Sequence, residues 1–161
     1  MLPRIDPKVF KFTKTDGEHR IVIIPPELLD EYWSSVQAEL EKEPELWNKA
    51  HTIESLYEHI MNSQIKLWAV YDLDYNVKMW FFTTFTVYPV LKVLTLVWAS
   101  GRNLDKYLSM GLSALDSYAS ETGCSGIILD GRKGWGPLLT PFGYSELQVS
   151  FFKRLPNTRI N

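Results

Sequence analysis

The spacing of hydrophobic positions changes as this chain advances, and each change of period marks an element. Met1–Arg20 is polar, carries Asp16-Gly17 as a turn signal, and reads as an irregular lead-in or hairpin. Ile21–Ile24 is a short apolar strand stopped by Pro25-Pro26. Apolar residues then recur at helical spacing, with Leu29, Trp33, Val36 and Leu40 on one stripe and Leu28 and Tyr32 beside it. This predicts a helix from Glu27 to Lys42, with Pro26 suited to its start and Glu27, Asp30 and Glu31 facing the positive end of its dipole. A second helix is predicted from Thr52, a capping residue, to Asn62, with Ile53, Leu56, Tyr57 and Ile60 inward. Trp47, between the two helices, is read as a staple packing them together or as part of a pocket wall.

From there the period falls to two. Ile65–Asp72 alternates Leu67, Ala69 and Tyr71 against Trp68 and Val70. Asp74-Tyr75-Asn76 makes a turn, Val77–Tyr88 is the next strand, and Pro89 breaks it. Val90–Ala99 is a nearly continuous apolar run, as in a strand buried on both faces. Helical spacing returns over Asn103–Thr122. Leu104, Leu108, Gly111/Leu112, Leu115 and Ala119 lie on one side, and Asp105, Ser109, Ser113, Asp116 and Ser120 mainly on the other. Asn103 suits the N-cap and Gly123 the stop. Cys124–Asp130 reads as a second buried strand and Gly134–Phe142 as a short helix. A helical crossover of this length joins parallel strands of one sheet. The expected class is α/β (α+β): a mixed central sheet with an antiparallel meander, a β-α-β crossover and flanking helices.

Composition narrows the picture. With 161 residues, 45% of them hydrophobic, residues 1–161 are expected to form one domain, of which 1–20 is the lead-in. A net charge of −2 and no basic cluster beyond Lys153-Arg154 give no indication of nucleic-acid binding. Six tryptophans in a 14% aromatic chain either fill a large core or leave an adhesive surface for a partner. Cys124 is the sole cysteine, so no internal disulfide is available, and its strand position reads as that of an inert small hydrophobe. No signal-peptide or transmembrane run is recognised, so no membrane association and a cytoplasmic location are expected. The phosphate-loop, zinc-protease, paired-cysteine and serine-elbow motifs are missing, and no metal is expected.

The element order, with Thr122-Gly123-Cys124 entering a strand and Pro141-Phe142-Gly143-Tyr144 closing a short helix, resembles the acyl-CoA N-acyltransferase (GNAT) superfamily. Gly131-Arg132-Lys133-Gly134-Trp135, followed by Gly143-Tyr144, is similar to the "GR-x-GW…L…GY" segment of short, divergent GNAT-like proteins of tailed phages. The likeness spans residues 20–155. It implies a last hairpin at Ser145–Leu155 and a CoA-dependent N-acyltransferase that moves an acyl group from acetyl-CoA, or another acyl-CoA, to an amine. By the same resemblance, the backbone of Leu96, Val97 and Trp98 would pair with the pantetheine arm, while Gly101, Arg102 and Asn103 would face the pyrophosphate. The alternative is a catalytically degenerate structural or interaction protein on the same fold, such as a virion or host-interaction component of a phage. Its place would then be the host cytoplasm or the virion, and its partner a protein.

The chain departs from the family pattern in two places. Ser100–Lys106 has one glycine where the family loop has several small residues, and Asp105 brings a negative charge toward the phosphates. The position of the family's usual tyrosine acid, four residues before Gly143, holds Leu139. A general base would be sought among Glu27, Asp30, Glu31, His51, His59 and Asp72, and no catalytic residue is assigned. A second candidate pocket is Gly131, Arg132, Lys133 and Trp135, at the carboxyl end of the later parallel strand. Its cations would hold a phosphate or carboxylate against Trp135, or its glycines serve only a sharp turn.

Overall fold

Six strands pair in chain order in the computed structural model, which describes residues 13–15, 17–47, 50–100, 104–131, 133–153 and 155–156. They are β1 (Thr13–Thr15), β2 (His19–Ile24), β3 (Lys66–Asp72), β4 (Val77–Val87), β5 (Lys92–Ala99) and β6 (Gly126–Leu129). The first five pair antiparallel, and β6 runs parallel to β5, from Val93 opposite Gly126 to Leu96 opposite Leu129. The helices are α1 (Leu29–Lys42), which follows a 3-10 turn at Pro26–Leu28, α2 (Ile53–Met61) and α3 (Leu104–Glu121). All of these lie in one unit of the chain, which ends at Gly131. The unit from Arg132 onward holds a 3-10 turn (Lys133–Trp135), the single turn α4 (Gly136–Leu139) and a second 3-10 turn (Thr140–Phe142), closed by Gly143 at φ +89°.

Alternation along the strands decides what each face of the sheet meets. Val22, Ile24, Leu67, Ala69, Tyr71, Trp80, Phe82 and Trp98 form one cluster with Leu29, Tyr32, Val36 and Leu40 of α1 and Leu56 and Ile60 of α2. The opposite face receives α3: the Tyr118 ring meets Trp68 edge-on at 5.1 Å and stacks on Phe85 at 5.8 Å, while Trp68 stacks on Phe81 at 5.2 Å. The buried Trp68 indole donates to Thr83 Oγ1 at 2.8 Å, so its N–H is satisfied inside the core. Lys92, at the start of β5, donates to the Thr122 carbonyl beyond the last turn of α3 and lies over the Phe85 ring. Trp47 is the expected staple: it packs against the α1/α2 core and its indole donates to Leu40 C=O at 2.8 Å, capping the end of α1.

Several boundaries differ from expectation for local reasons. β5 starts at Lys92, because Tyr88 N–H closes a tight turn onto Leu91 C=O and leaves Val90 90% exposed at its tip. β6 is shorter than Cys124–Asp130 and half-buried, because it stands at the sheet edge with β5 as its one neighbour among the described residues. Cys124 therefore sits half-buried in the turn after α3, whose stop is Gly123 at φ +77°. On α1 the fully covered aromatic is Tyr32, with Trp33 half-buried against the same core. On α3 the inward residues are Tyr107, Met110, Leu112, Ala114, Leu115 and Ala119, with Leu108 half-buried; the stripe is rotated by about one position. The expected hairpin at Ser145–Leu155 is not formed over its described residues, where Leu147, Val149, Phe151 and Phe152 are exposed. The N-cap at Asn103 lies outside the described residues.

Leu115→Ala should destabilise the chain by about 2–5 kcal/mol in a denaturant titration, through lost burial and a cavity under α3. Val90→Ser should change stability by no more than about 0.5 kcal/mol.

Candidate functional site

The hydrogen bonding of β5 is not the same on its two edges. Toward β4, Ala99 pairs with Phe81 and Trp98 with Phe82, but the next pair is Leu96 with Thr83, so Val97 is the extra residue of a β-bulge. Toward β6, pairing stops at Leu96 and Leu129, with a last bond from Asp130 N–H to Leu96 C=O at 3.0 Å. Val97–Ala99 thus keep β4 on one side and have no strand on the other among the described residues. Ser100 holds this end in place: its N–H donates to Trp80 C=O at 2.8 Å, and its Oγ accepts from Trp80 N–H at 2.9 Å. Since Ser100 N–H points to β4, strand alternation turns Ala99 N–H to the free edge.

The packing beneath is rigid. Trp98 is buried against Phe82, with ring centres 4.7 Å apart, and Thr95 and Leu96 are buried next to the bulge. After β5 the chain needs only a few residues to begin α3 at Leu104, so the positive end of that helix dipole follows directly on the free edge. Ligands of open α/β sheets collect at such carboxyl ends of parallel strands. Asp130 ends β6. It is open to solvent, yet neighbouring atoms partly desolvate its carboxyl and push it above the ordinary carboxylate value. Among the described residues it has no ion pair.

The residues singled out in the sequence fall in different places. Leu96, Val97 and Trp98 are the residues of the bulge and the free edge. Gly101, Arg102, Asn103 and Arg132 lie outside the described residues, as do the side chains of Asp105 and Lys133. Gly131 is exposed at the end of the first unit, and Lys133 and Trp135 belong to the second. Asp72 is a turn residue: its Oδ1 accepts from Asp74 N–H and Asn76 N–H, and its Oδ2 lies 3.4 Å from Lys78 Nζ. Burial alone would raise its carboxyl, but the two N–H donors and the ammonium outweigh that and hold it below the ordinary value. Asp30 accepts from Tyr57 Oη at 2.6 Å, which ties α1 to α2 at the surface and raises the phenol. Glu27 lies in the turn before α1, and Glu31 is exposed on α1. His51 and His59 are brought together, with ring centres 5.2 Å apart, by hydrogen bonds to Ser55. Burial, and then the neighbouring His59, lower the pKa of His51.

Sequence reasoning missed the bulge, the Ser100 tie and the environment of Asp130. Only Asp130 carried a signal, as a carboxylate at the end of a parallel strand. Among the described residues no helix is long and apolar enough to cross a membrane.

No protein-family model matches the chain, and no curated protein matches it. Solved structures do. Ribosomal-protein-alanine N-acetyltransferase of Brucella melitensis superposes with a TM-score of 0.61 at 12% identity, over 85% of this chain and 99% of that one. An acetyltransferase of Trypanosoma brucei gives 0.60 at 12% identity, over 85% and 99%. A predicted acetyltransferase of Clostridium acetobutylicum, solved with acetyl-CoA, gives 0.58 at 11% identity, over 84% and 96%. The chain has the GNAT fold. Within that fold, the parallel pair β5–β6 and the bulge at Val97 mark the place where the backbone offers hydrogen bonds that no strand takes among the described residues.

Ser100→Ala should cost about 1–3 kcal/mol, because the buried Trp80 N–H loses its acceptor. Amide exchange at Trp80 and at residues 97–99 should speed up with it, a change that hydrogen-exchange mass spectrometry reads directly.

Proposed function

We propose that the chain is a GNAT-type N-acetyltransferase that uses acetyl-CoA, or another acyl-CoA, and an amine acceptor. One observation carries the reading: β5 has a bulge at Val97 and a free edge over Val97–Ala99, beside a parallel neighbour that ends at Leu129. The pantetheine arm contains amides, and a strand edge recognises amides through its own N–H and C=O groups. Of the three residues the resemblance names, Val97 and Trp98 lie on that free edge, while Leu96 C=O is already taken by Asp130 N–H. Gly101, Arg102 and Asn103, which lie outside the described residues, are the groups next in sequence to meet the pyrophosphate at the start of α3. The solved acetyltransferases of the same fold support the reaction class.

A bound acyl-CoA supplies a thioester, whose C–S bond breaks as the N–C bond to the amine forms. The amine gives up a proton as that bond forms; Asp130, whose N–H is bonded to Leu96 C=O next to the free edge of β5, is the candidate acceptor, and the upward shift of its partly desolvated carboxyl agrees with that role. Leu139 cannot return a proton to the thiolate, so that proton comes from solvent or from a group other than the family's tyrosine.

A thermal-shift titration with acetyl-CoA tests the reading. Ligand at a hundredfold its Kd should stabilise the chain by about 2.7 kcal/mol, with a matching rise in Tm. Asp105→Gly should tighten binding, and Arg102→Ala should weaken it, by about two- to fivefold each, since both change the charge near the start of α3. With CoA affinity unchanged, Asp130→Asn should lower kcat with a reactive amine by about a hundredfold or more. If neither acetyl-CoA nor CoA raises Tm in any of these proteins, the reading fails and an interaction protein on the same fold takes its place.

A further inference from the structure

We propose that His51 and His59 form a binding site for one Zn2+ ion, held by two imidazole nitrogens. The site is built around the N-terminus of α2, where Thr52 and Ser55 make a reciprocal capping box. Thr52 Oγ1 accepts from Ser55 N–H at 3.0 Å, and Ser55 Oγ accepts from Thr52 N–H at 2.8 Å. This box fixes Ser55, and Ser55 fixes both imidazoles.

The protons can be placed from the partners. His59 Nδ1 lies 2.6 Å from Ser55 C=O, which only accepts, so Nδ1 carries the hydrogen and the lone pair is at Nε2. Ser55 Oγ has one proton, with Thr52 C=O at 3.1 Å to receive it. Ser55 Oγ lies 3.2 Å from His51 Nδ1, and in the tautomer with the hydrogen on Nδ1 the His51 lone pair too is at Nε2. A metal-binding histidine commonly has its other N–H held by a carbonyl or similar acceptor. One serine supplies that acceptor for both rings here.

The spacing matches as well. The ring centres are 5.2 Å apart, with the planes at 83°. With a Zn–N bond of about 2.0–2.1 Å, each ring centre stands about 3.2 Å from the metal, and a tetrahedral angle then puts two ring centres about 5.2 Å apart. No group of three or more histidine, cysteine, aspartate or glutamate side chains occurs among the described residues, so the site proposed has two protein ligands, with water in the remaining tetrahedral positions. Imidazole ligands also suit Ni2+ and Cu2+, with Cu2+ the tightest. The third histidine of the chain, His19, is packed edge-on against Tyr107 in the core.

The test uses the untagged full chain. Calorimetric titration with Zn2+ at neutral pH should show one ion per chain. His51→Gln and His59→Gln should each weaken binding at least about tenfold, and Cys124→Ser should leave it unchanged. Nuclear magnetic resonance on the unaltered chain, which needs no variant to fold, should show Zn2+ moving the ring signals of His51 and His59 but not those of His19. The proposal is overturned if the unaltered chain binds no Zn2+, if affinity survives both histidine substitutions, or if it is lost with Cys124→Ser.

Discussion

Strand β5 has to serve two neighbours whose hydrogen-bonding patterns differ. Its antiparallel ladder with β4 runs to Ala99 and is continued by the Ser100–Trp80 pair, whereas its parallel ladder with β6 stops at Leu96. A parallel pair cannot be closed by a tight turn, so the chain must cross over the sheet, and α3 is that crossing. Once α3 covers one face, α1 and α2 are left to cover the other. The bulge at Val97 follows from the same mismatch: the extra residue bends the strand away while β4 and Ser100 hold its end. The free edge is therefore a consequence of the topology and not a local defect.

The two faces of the sheet are held by different means. Under α1 and α2 aliphatic side chains are interspersed with separate aromatic pairs, Tyr32 with Trp80 and Phe82 with Trp98, and Trp47 and Thr52 close helix ends that would otherwise leave polar backbone groups unsatisfied. Under α3 the contact is a run of aromatic rings, Phe81, Trp68, Tyr118 and Phe85, with Lys92 over the last of them. Burying an indole there requires an acceptor, and Thr83 provides it from the adjacent strand. The buried polar Thr83 of β4, which pairs with Lys66 in the ladder, is thus explained by the indole of Trp68 two residues along β3.

Most of the fold was legible because it rests on period. Alternation in β3, the turn and proline that bound β4, and helical spacing in α1, α2 and α3 were each visible in the sequence, and with them the parallel sense of β5 and β6. What was not legible depends on partners distant in sequence. The continuous apolar run Val90–Ala99 does not say that Tyr88 closes a turn onto Leu91, and so does not say where the strand begins. Tyr32 and Trp33 are both large and aromatic, and the choice of which to bury is set by the angle of α1 on the sheet. At the candidate site, residues 96–98 were named from the family resemblance alone, and nothing in Leu-Val-Trp announces the bulge at Val97. His51 and His59 were seen as separate base candidates because the residue that unites them, Ser55, looks in sequence like an ordinary capping partner.

The ends of the two parallel strands differ in electrostatic character. α3 begins at Leu104, a few residues after β5, and a helix N-terminus carries partial positive charge. At the end of β6 stands Asp130, a carboxylate with no ion pair among the described residues and partly removed from water. On the proposed reading, an anionic, phosphate-bearing donor would be drawn to the first end and a cationic amine to the second, so the two reactants would not compete for the same charge. On that reading Asp105, close in sequence to the start of α3, would set a like charge against the donor.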